Sequence, residues 1–276
     1  MNDNTTIAGH VHSGFQPDSS MPQDAEAILA QNRESWNAIA DDWFGTTALP
    51  EYGCLIPTED ELGLFGDVSG KKLLEIGCGS GHSLLYHAKH AAELWGLDLS
   101  DRQLENAGRL LAENGFAPRL FQSPMERDPG LPKDYFDFVY SIYAVGWSTD
   151  LPATFRLAAS YLKPGGTFIF SWDHPMMHCV GPENNRYVLD GGFYDKVPIC
   201  FEKGGAPMTL TNRRFADYVD ALAAAELVLE KIVEETSATV MDAPPSEFSS
   251  KYYAASKARL MPLSFIMKAR KPGNTL

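Results

Sequence analysis

The sequence predicts an α/β fold: a seven-stranded, mostly parallel sheet with helices on both faces, an N-terminal helical arm and a lid inserted late in the chain. Three observations lead there. From residue 70 onward, short apolar runs alternate with amphipathic helical segments, and such alternation implies parallel strands joined by right-handed crossovers. The run LLEI enters a turn carrying Gly77, Gly79 and Gly81 and then the helical segment HSLLYHAKH, a strand, glycine turn and helix of the kind that binds nucleotides. Finally, 276 residues with 44 % hydrophobic content suffice for one large domain with an arm or lid added.

Taken in order, residues 1–22 are polar and rich in small side chains, without periodicity, and read as a disordered tail. A single domain then spans residues 23–276. Its arm, 23–69, opens with Ile28, Trp36, Ile39, Ala40 and Trp43 at roughly helical spacing behind early acids. The core, 70–174, runs KLLEI strand, SLLYHAKH helix, AELWGLDL strand, DRQLENAGRLLAEN helix, PRLFQS strand, YFDFVYSI strand, DLPATFRLAASYL helix, a KPGG turn and TFIFSW strand. Residues 178–210 mix Gly and Pro with Tyr187, Phe193, Tyr194 and Phe201, as a lid or insertion does. In 211–276, NRRFADYVDALAAAE is helical, while LVLEKIVEE and RLMPLSFIMKAR are strand-like.

The charge balance, 23 basic against 36 acidic side chains, gives a net charge of −13. That repels a phosphate backbone and ranks nucleic acid low as a partner. No apolar run reaches the roughly 18 residues of a membrane span, and the N-terminus lacks the charged and apolar regions of a signal peptide, so a cytoplasmic protein without a membrane partner is expected. Cys54, Cys78, Cys179 and Cys200 are scattered without CxxC spacing and read as free thiols.

Asp98 closes the second strand, where an acid can accept ribose hydroxyls because the ends of neighbouring parallel strands lie side by side. The alternative for Asp98 is capping of the following helix, and Glu75 could merely hold the glycine turn. The glycines read GxGxG, with the third one place early for the dinucleotide fingerprint, and no GK[ST] cradle follows.

With LLEIGCGSG (73–81), LWGLDLS (94–100), SPMERDPGLPKDYFDFVYS (123–141) and YLKPGGTFIFSW (161–172) in this order, the chain resembles the class I S-adenosylmethionine-dependent methyltransferases, in their small-molecule, type 11-like branch. The resemblance covers residues 70–174 closely and the C-terminal strands more weakly. It implies a Rossmann-like fold, S-adenosyl-L-methionine as cofactor, S-adenosyl-L-homocysteine as product and a small-molecule methyl acceptor as partner. It also implies that the backbone of Gly77, Cys78 and Gly79 lies against the methionine part, with Glu75 ordering that loop. Asp98 would hold the ribose, Leu99 would pack on the adenine, and Met125 and Glu126 would reach the adenine amino edge. Ser141 would face the amino acid end. Two features depart from the family pattern: the loop PMERDPGLP is a little long, and Glu126 stands where many relatives place an acid differently.

An acceptor is expected beyond the carboxyl ends of the strands. Trp36, Trp43, Tyr143, Trp147 and Trp172 are candidates for an aromatic wall there, the alternative being an ordinary aromatic core. Such a wall suits a flat or apolar acceptor, methylated on oxygen or nitrogen. His174, in WDHPMMH, is the candidate base because imidazole titrates near neutrality; equally, a His before Pro can fix a loop by a hydrogen bond. Asp173, His174 and His178 lack a third clear partner as metal ligands, so no metal is expected. His82, His87 and His90 share no helix face and read as solvated. A second reading of the whole is a cofactor-binding subunit that has lost transfer. A nicotinamide-dependent dehydrogenase would share the fold but not the glycine spacing.

Overall fold

Asp24 opens the first helix by accepting a hydrogen bond from the Ala27 N–H at 2.8 Å, the usual work of an N-terminal aspartate. The computed structural model describes residues 24–91, 93–189, 191–194 and 198–273; the expected disordered tail lies outside the described residues. Helix α1 (Ala25–Ile39) ends four residues before Trp43, which sits in the turns that follow. Next come α2 (Glu59–Leu62), β1 (Lys72–Ile76), α3 (His82–Ala88), β2 (Glu93–Asp98), α4 (Asp101–Glu113) and β3 (Arg119–Gln122). The core closes with β4 (Phe136–Ser141), α5 (Leu151–Tyr161) and β5 (Leu162–Asp173). Two hairpins fill the predicted insertion, β6 (Val180–Glu183) with β7 (Arg186–Leu189), and β8 (Pro198–Lys203) with β9 (Ala206–Thr211). The remaining elements are α6 (Phe215–Ala224), β10 (Val228–Val233), α7 (Ala238–Met241), α8 (Ala255–Ala258) and β11 (Ser264–Arg270).

Seven strands form one sheet in the order β10-β11-β5-β4-β1-β2-β3. The four pairings from β5 to β3 are parallel and the two that bring in β11 and β10 are antiparallel. The chain order reverses between β1 and β4, which places the ligand crevice of an open sheet beyond their carboxyl ends.

Alternate residues feed two apolar cores, because successive side chains of a strand point to opposite faces. Leu74, Phe168, Phe170, Phe265 and Met267 pack with Phe155 of α5 and Tyr218 of α6 on one face. Leu73, Ile169 and Ile266 pack with Leu84 of α3 and Leu111 of α4 on the other. Burial on both sides explains why these strands read as continuous apolar runs rather than as alternating ones.

The KPGG segment is not a free turn: it continues β5. Gly165 N–H donates to the Lys271 carbonyl and the Lys271 N–H to the Gly166 carbonyl, both at 2.9 Å, while the register against β4 shifts between Phe136 and Phe138. The glycines therefore make an irregularity within a paired strand.

Helix α1 docks on the β8–β9 hairpin through Gln31, Asn32 and Ser35, with Asn32 making the paired contact to main chain. The Asn32 amide nitrogen donates to the Thr209 carbonyl at 2.7 Å, and the Thr209 N–H donates to the Asn32 amide oxygen at 2.9 Å.

His87 corrects a further expectation. It is buried, 3 % exposed, with its ring 4.5 Å from Phe65, 5.1 Å from Tyr86 and 5.6 Å from Tyr140, and its Nε2 has no partner among the described residues. Burial, helped by nearby His90, pulls its pKa from 6.5 down to about 4. A base depressed in the folded state gives stability that is full above the unfolded value and lost as pH falls through the folded one. Urea midpoints should therefore fall between pH 6.5 and 4, and His87→Phe should remove a part on the order of 3 kcal/mol. An unchanged pH profile in the variant would contradict this.

Candidate functional site

The glycine turn after β1 is shaped by a close approach at Gly77 and by its ties to the end of β2. Gly77 has φ +73°, and a Cβ there would lie 2.4 Å from the Ala144 Cβ in the loop after β4. Gly79 has φ +50°, and a Cβ there would meet nothing within 4 Å, so its bare backbone borders open space. The Gly77 and Cys78 N–H groups donate to the Leu97 carbonyl at 2.7 and 3.0 Å, which ties the turn to the end of β2.

Asp98 stands beside it. One carboxylate oxygen accepts the Gly79 N–H and the other the Ser100 N–H, each at 2.8 Å. Burial raises its pKa to about 6 against the pull of these backbone donors. Helix capping falls to Ser100 instead, whose hydroxyl accepts the Gln103 N–H at 3.1 Å. Glu75, 2 % exposed, has its pKa pushed well above the usual carboxylate range by burial, and one of its oxygens has no partner among the described residues.

A single cavity, about 1550 Å³ with its open mouth, starts at this turn and runs outward past the carboxyl ends of β1, β4 and β5. Glu75, Gly77, Cys78, Gly79, Asp98, Leu99, Met125 and Glu126 line it. Glu126 Oε1 also accepts bonds from the N–H and hydroxyl of Thr149, at 2.8 and 2.5 Å. Ser141 does not reach the cavity: it is fully buried and its hydroxyl donates to the Ile76 carbonyl at 2.8 Å, stitching β4 to β1.

At the outer end the five predicted aromatic residues line the same cavity and form a contiguous chain. Trp43 meets Trp36 at 6.4 Å, Trp36 meets Trp147 at 5.2 Å, Trp147 meets Trp172 at 5.8 Å and Trp172 meets Tyr143 at 5.3 Å between ring centroids. Edge-on geometry dominates, as ring quadrupoles favour. Trp36 and Trp43 also pack on Ile39 and Met208, so they serve a small core as well as the cavity.

His174 is turned elsewhere. Its Nε2 pairs with Glu234 at 2.9 Å, its Nδ1 accepts the Met176 N–H at 3.2 Å, and Phe215 covers its ring. It fixes the loop after β5 and is not placed to take a proton in the cavity. Its neighbours Asp173 and His178 do line the space. Asp173 accepts hydrogen bonds from the Tyr143 hydroxyl and from Tyr253 at 3.0 and 3.1 Å, and burial raises its pKa to about 6. His178 meets the Tyr252 hydroxyl through Nδ1 at 3.1 Å, and burial pulls its pKa to about 4. Among the described residues no group of three His, Cys, Asp or Glu is arranged to hold a metal.

Several lining residues were missed in the sequence: His82, Phe201, Lys203, Tyr252 and Tyr253. Lys203 precedes the glycine pair that turns the β8–β9 hairpin, the one local signal available; the Tyr252–Tyr253 pair lies in a segment with no periodicity.

The sites fit the implied cofactor: bare backbone at Gly79 faces the cavity, a hydrogen-bond-accepting acid stands at the end of β2, and apolar Leu99 and Met125 lie near it. A sequence profile described as a methyltransferase domain matches residues 74–170. Over 122 residues the chain is 38 % identical to an uncharacterized protein of Haemophilus influenzae, covering 43 % of this chain and 48 % of that one. It is 31 % identical over 104 residues to the ubiquinone biosynthesis O-methyltransferase of Nitrosospira multiformis, covering 38 % and 44 %. The chain thus spans about half the length, or less, of these curated relatives. In three dimensions it superposes on an S-adenosylmethionine-dependent methyltransferase from Mesorhizobium loti with a TM-score of 0.62 at 25 % identity, covering 76 % of this chain and 94 % of that one. Profile, sequence relatives and fold all converge on the segment that carries the glycine turn and Asp98: residues 74–170 match a methyltransferase domain, on a fold similar to that of an S-adenosylmethionine-dependent methyltransferase.

Proposed function

We propose that the protein moves a methyl group to an oxygen or nitrogen atom of a small aromatic or apolar metabolite. The observation that carries this reading is the continuity of the cavity: one space joins the glycine turn and Asp98 to the aromatic wall. When bound, S-adenosylmethionine supplies a methyl group on a sulfonium; the acceptor lone pair forms the new bond in line as the carbon–sulfur pair returns to sulfur, giving S-adenosylhomocysteine. Alignment supplies much of the acceleration in such a displacement, and the residues divide that task. Asp98 accepts the ribose hydroxyls, Leu99 and Met125 pack on the adenine, and the Gly77–Gly79 backbone lies along the methionine part. Trp36, Trp147, Trp172 and their neighbours hold a flat acceptor. Asp173, ionised above about pH 6, takes the proton that a hydroxyl or ammonium acceptor loses. No helix among the described residues is long and apolar enough to cross a membrane.

Calorimetric titration with S-adenosylhomocysteine, with NADH as control, tests the cofactor end. The wild type should bind the first and not the second. Asp98→Asn, whose amide nitrogen cannot accept a hydroxyl proton, should bind roughly 10- to 100-fold more weakly, the value of a buried hydrogen bond to a charged group. No binding of S-adenosylhomocysteine by the wild type would remove the reading.

A further inference from the structure

Among the described residues Lys203 is the only lysine or arginine lining the cavity. It ends β8, and its side chain turns in over the aromatic wall, with Nζ 3.4 Å from the Trp43 ring centroid, 4.9 Å from Trp36 and 6.0 Å from Trp147. Indole faces attract an ammonium but do not neutralise it. No carboxylate lies within ion-pair distance of Lys203 among the described residues, although Lys72, Lys133, Lys163 and Lys271 each have one nearer the surface. Its charge is thus left without a paired anion at the cavity wall, in a chain with thirteen more acids than bases. Asp173, the acid at the same end, acts on Lys203 through space, while its own oxygens accept the Tyr143 and Tyr253 hydroxyls. Burial pulls the Lys203 pKa down to about 8, so the ammonium persists at neutral pH but is poorly solvated.

The rest of that end decides what would satisfy it. Among the described residues arginine, bidentate and suited to phosphate, is missing from the lining. Besides Asp173, the other groups at that end are mainly the indole, phenyl and phenol rings of Trp36, Trp43, Trp147, Phe201 and Tyr143, with the His178 imidazole. A single ammonium among aromatic rings matches one monoanionic group on an apolar body. The donor sulfonium would bring a further positive charge into the same cavity, which Asp173 and an anion on the acceptor together would offset.

We propose that the methyl acceptor is an aromatic carboxylate, with Lys203 holding its carboxylate against the tryptophan wall. This rests on the methyltransferase reading and narrows its acceptor class. Lys203 is then a specificity-determining residue; the methylated atom lies elsewhere on the acceptor, and Lys203 takes no part in bond making.

The test is calorimetry at saturating S-adenosylhomocysteine with aromatic carboxylates of one to three rings, benzoate, 2-naphthoate and anthracene-2-carboxylate, each against its carboxamide. The carboxamides match the acids in shape and lack only the charge. At least one acid should bind the wild type tenfold or more tightly than its amide. Lys203→Met, which keeps the length and apolar stem, should abolish that preference while leaving S-adenosylhomocysteine affinity within about twofold, and Lys203→Arg should retain it. Equal binding of every acid and its amide, no binding of any acid, or a preference that survives in Lys203→Met would overturn the proposal. Failure of S-adenosylhomocysteine to bind would instead remove the methyltransferase reading itself, so the two failures are distinct.

Discussion

Gly77→Val should leave little folded protein able to bind S-adenosylhomocysteine. The backbone at Gly77 holds φ +73°, where a β-branched residue is strained by about 1–3 kcal/mol. Its first side-chain carbon would lie 2.4 Å from the Ala144 Cβ, and relieving that overlap costs about 1–3 kcal/mol more. The turn cannot swing away cheaply, because the Gly77 and Cys78 N–H groups are both bonded to Leu97. The sum, roughly 2–6 kcal/mol, corresponds to a Tm drop of about 5–20 °C in a chain of this size. Thermal melts and titration of whatever remains folded check both halves. A Tm within two degrees of wild type together with unchanged affinity would show that the turn is not constrained as described.

Phe170→Ala should be comparably costly and leave the cofactor end alone. Phe170 is fully buried in β5 with its ring 4.9 Å from Phe155, 5.2 Å from Phe168, 5.7 Å from Tyr218 and 6.1 Å from Phe265. It joins strands β5 and β11 to helices α5 and α6 in one packed group. Removing a phenyl ring from such a site costs about 3–5 kcal/mol, the spread reflecting how far the cavity collapses. Denaturant midpoints should fall accordingly with the slope little changed. The variant should still bind S-adenosylhomocysteine at low temperature, since Phe170 does not line the cavity. A loss below about 1 kcal/mol would mean that the neighbouring rings repack without a void.

The strands that both cores bury were legible because nearly every residue is apolar; TFIFSW and KLLEI need no partner to be recognised. The hairpins were not. VGPE and RYVL carry a glycine, a proline or a charge and stay partly exposed, so neither alternation nor a continuous run marks them, and their pairing appears only once the insertion folds back. Trp43 fell into the helical count because its packing partner, the cavity wall, continues past the end of α1 although the helix does not. At the cavity, the glycine turn and Asp98 are local in sequence, and both line it. His174 and Ser141 were assigned from their positions at strand ends, yet side-chain direction settles their roles: Glu234, sixty residues on, and the Ile76 carbonyl claim them. Lys203 gave only the weak sign of its glycine pair, since a lysine before two glycines is an ordinary hairpin residue until the hairpin closes over three tryptophans.

The Asn32 amide that grips Thr209 has a consequence for how these molecules behave in company. Main-chain N–H and C=O groups pointing outward from the edge of a hairpin form a template on which another extended chain can add itself. At Thr209 both groups are already taken by one side chain shaped like a peptide. Two copies cannot splice their β9 edges together here without first peeling α1 away. A rim open to the cavity is thereby kept closed to a neighbour's backbone.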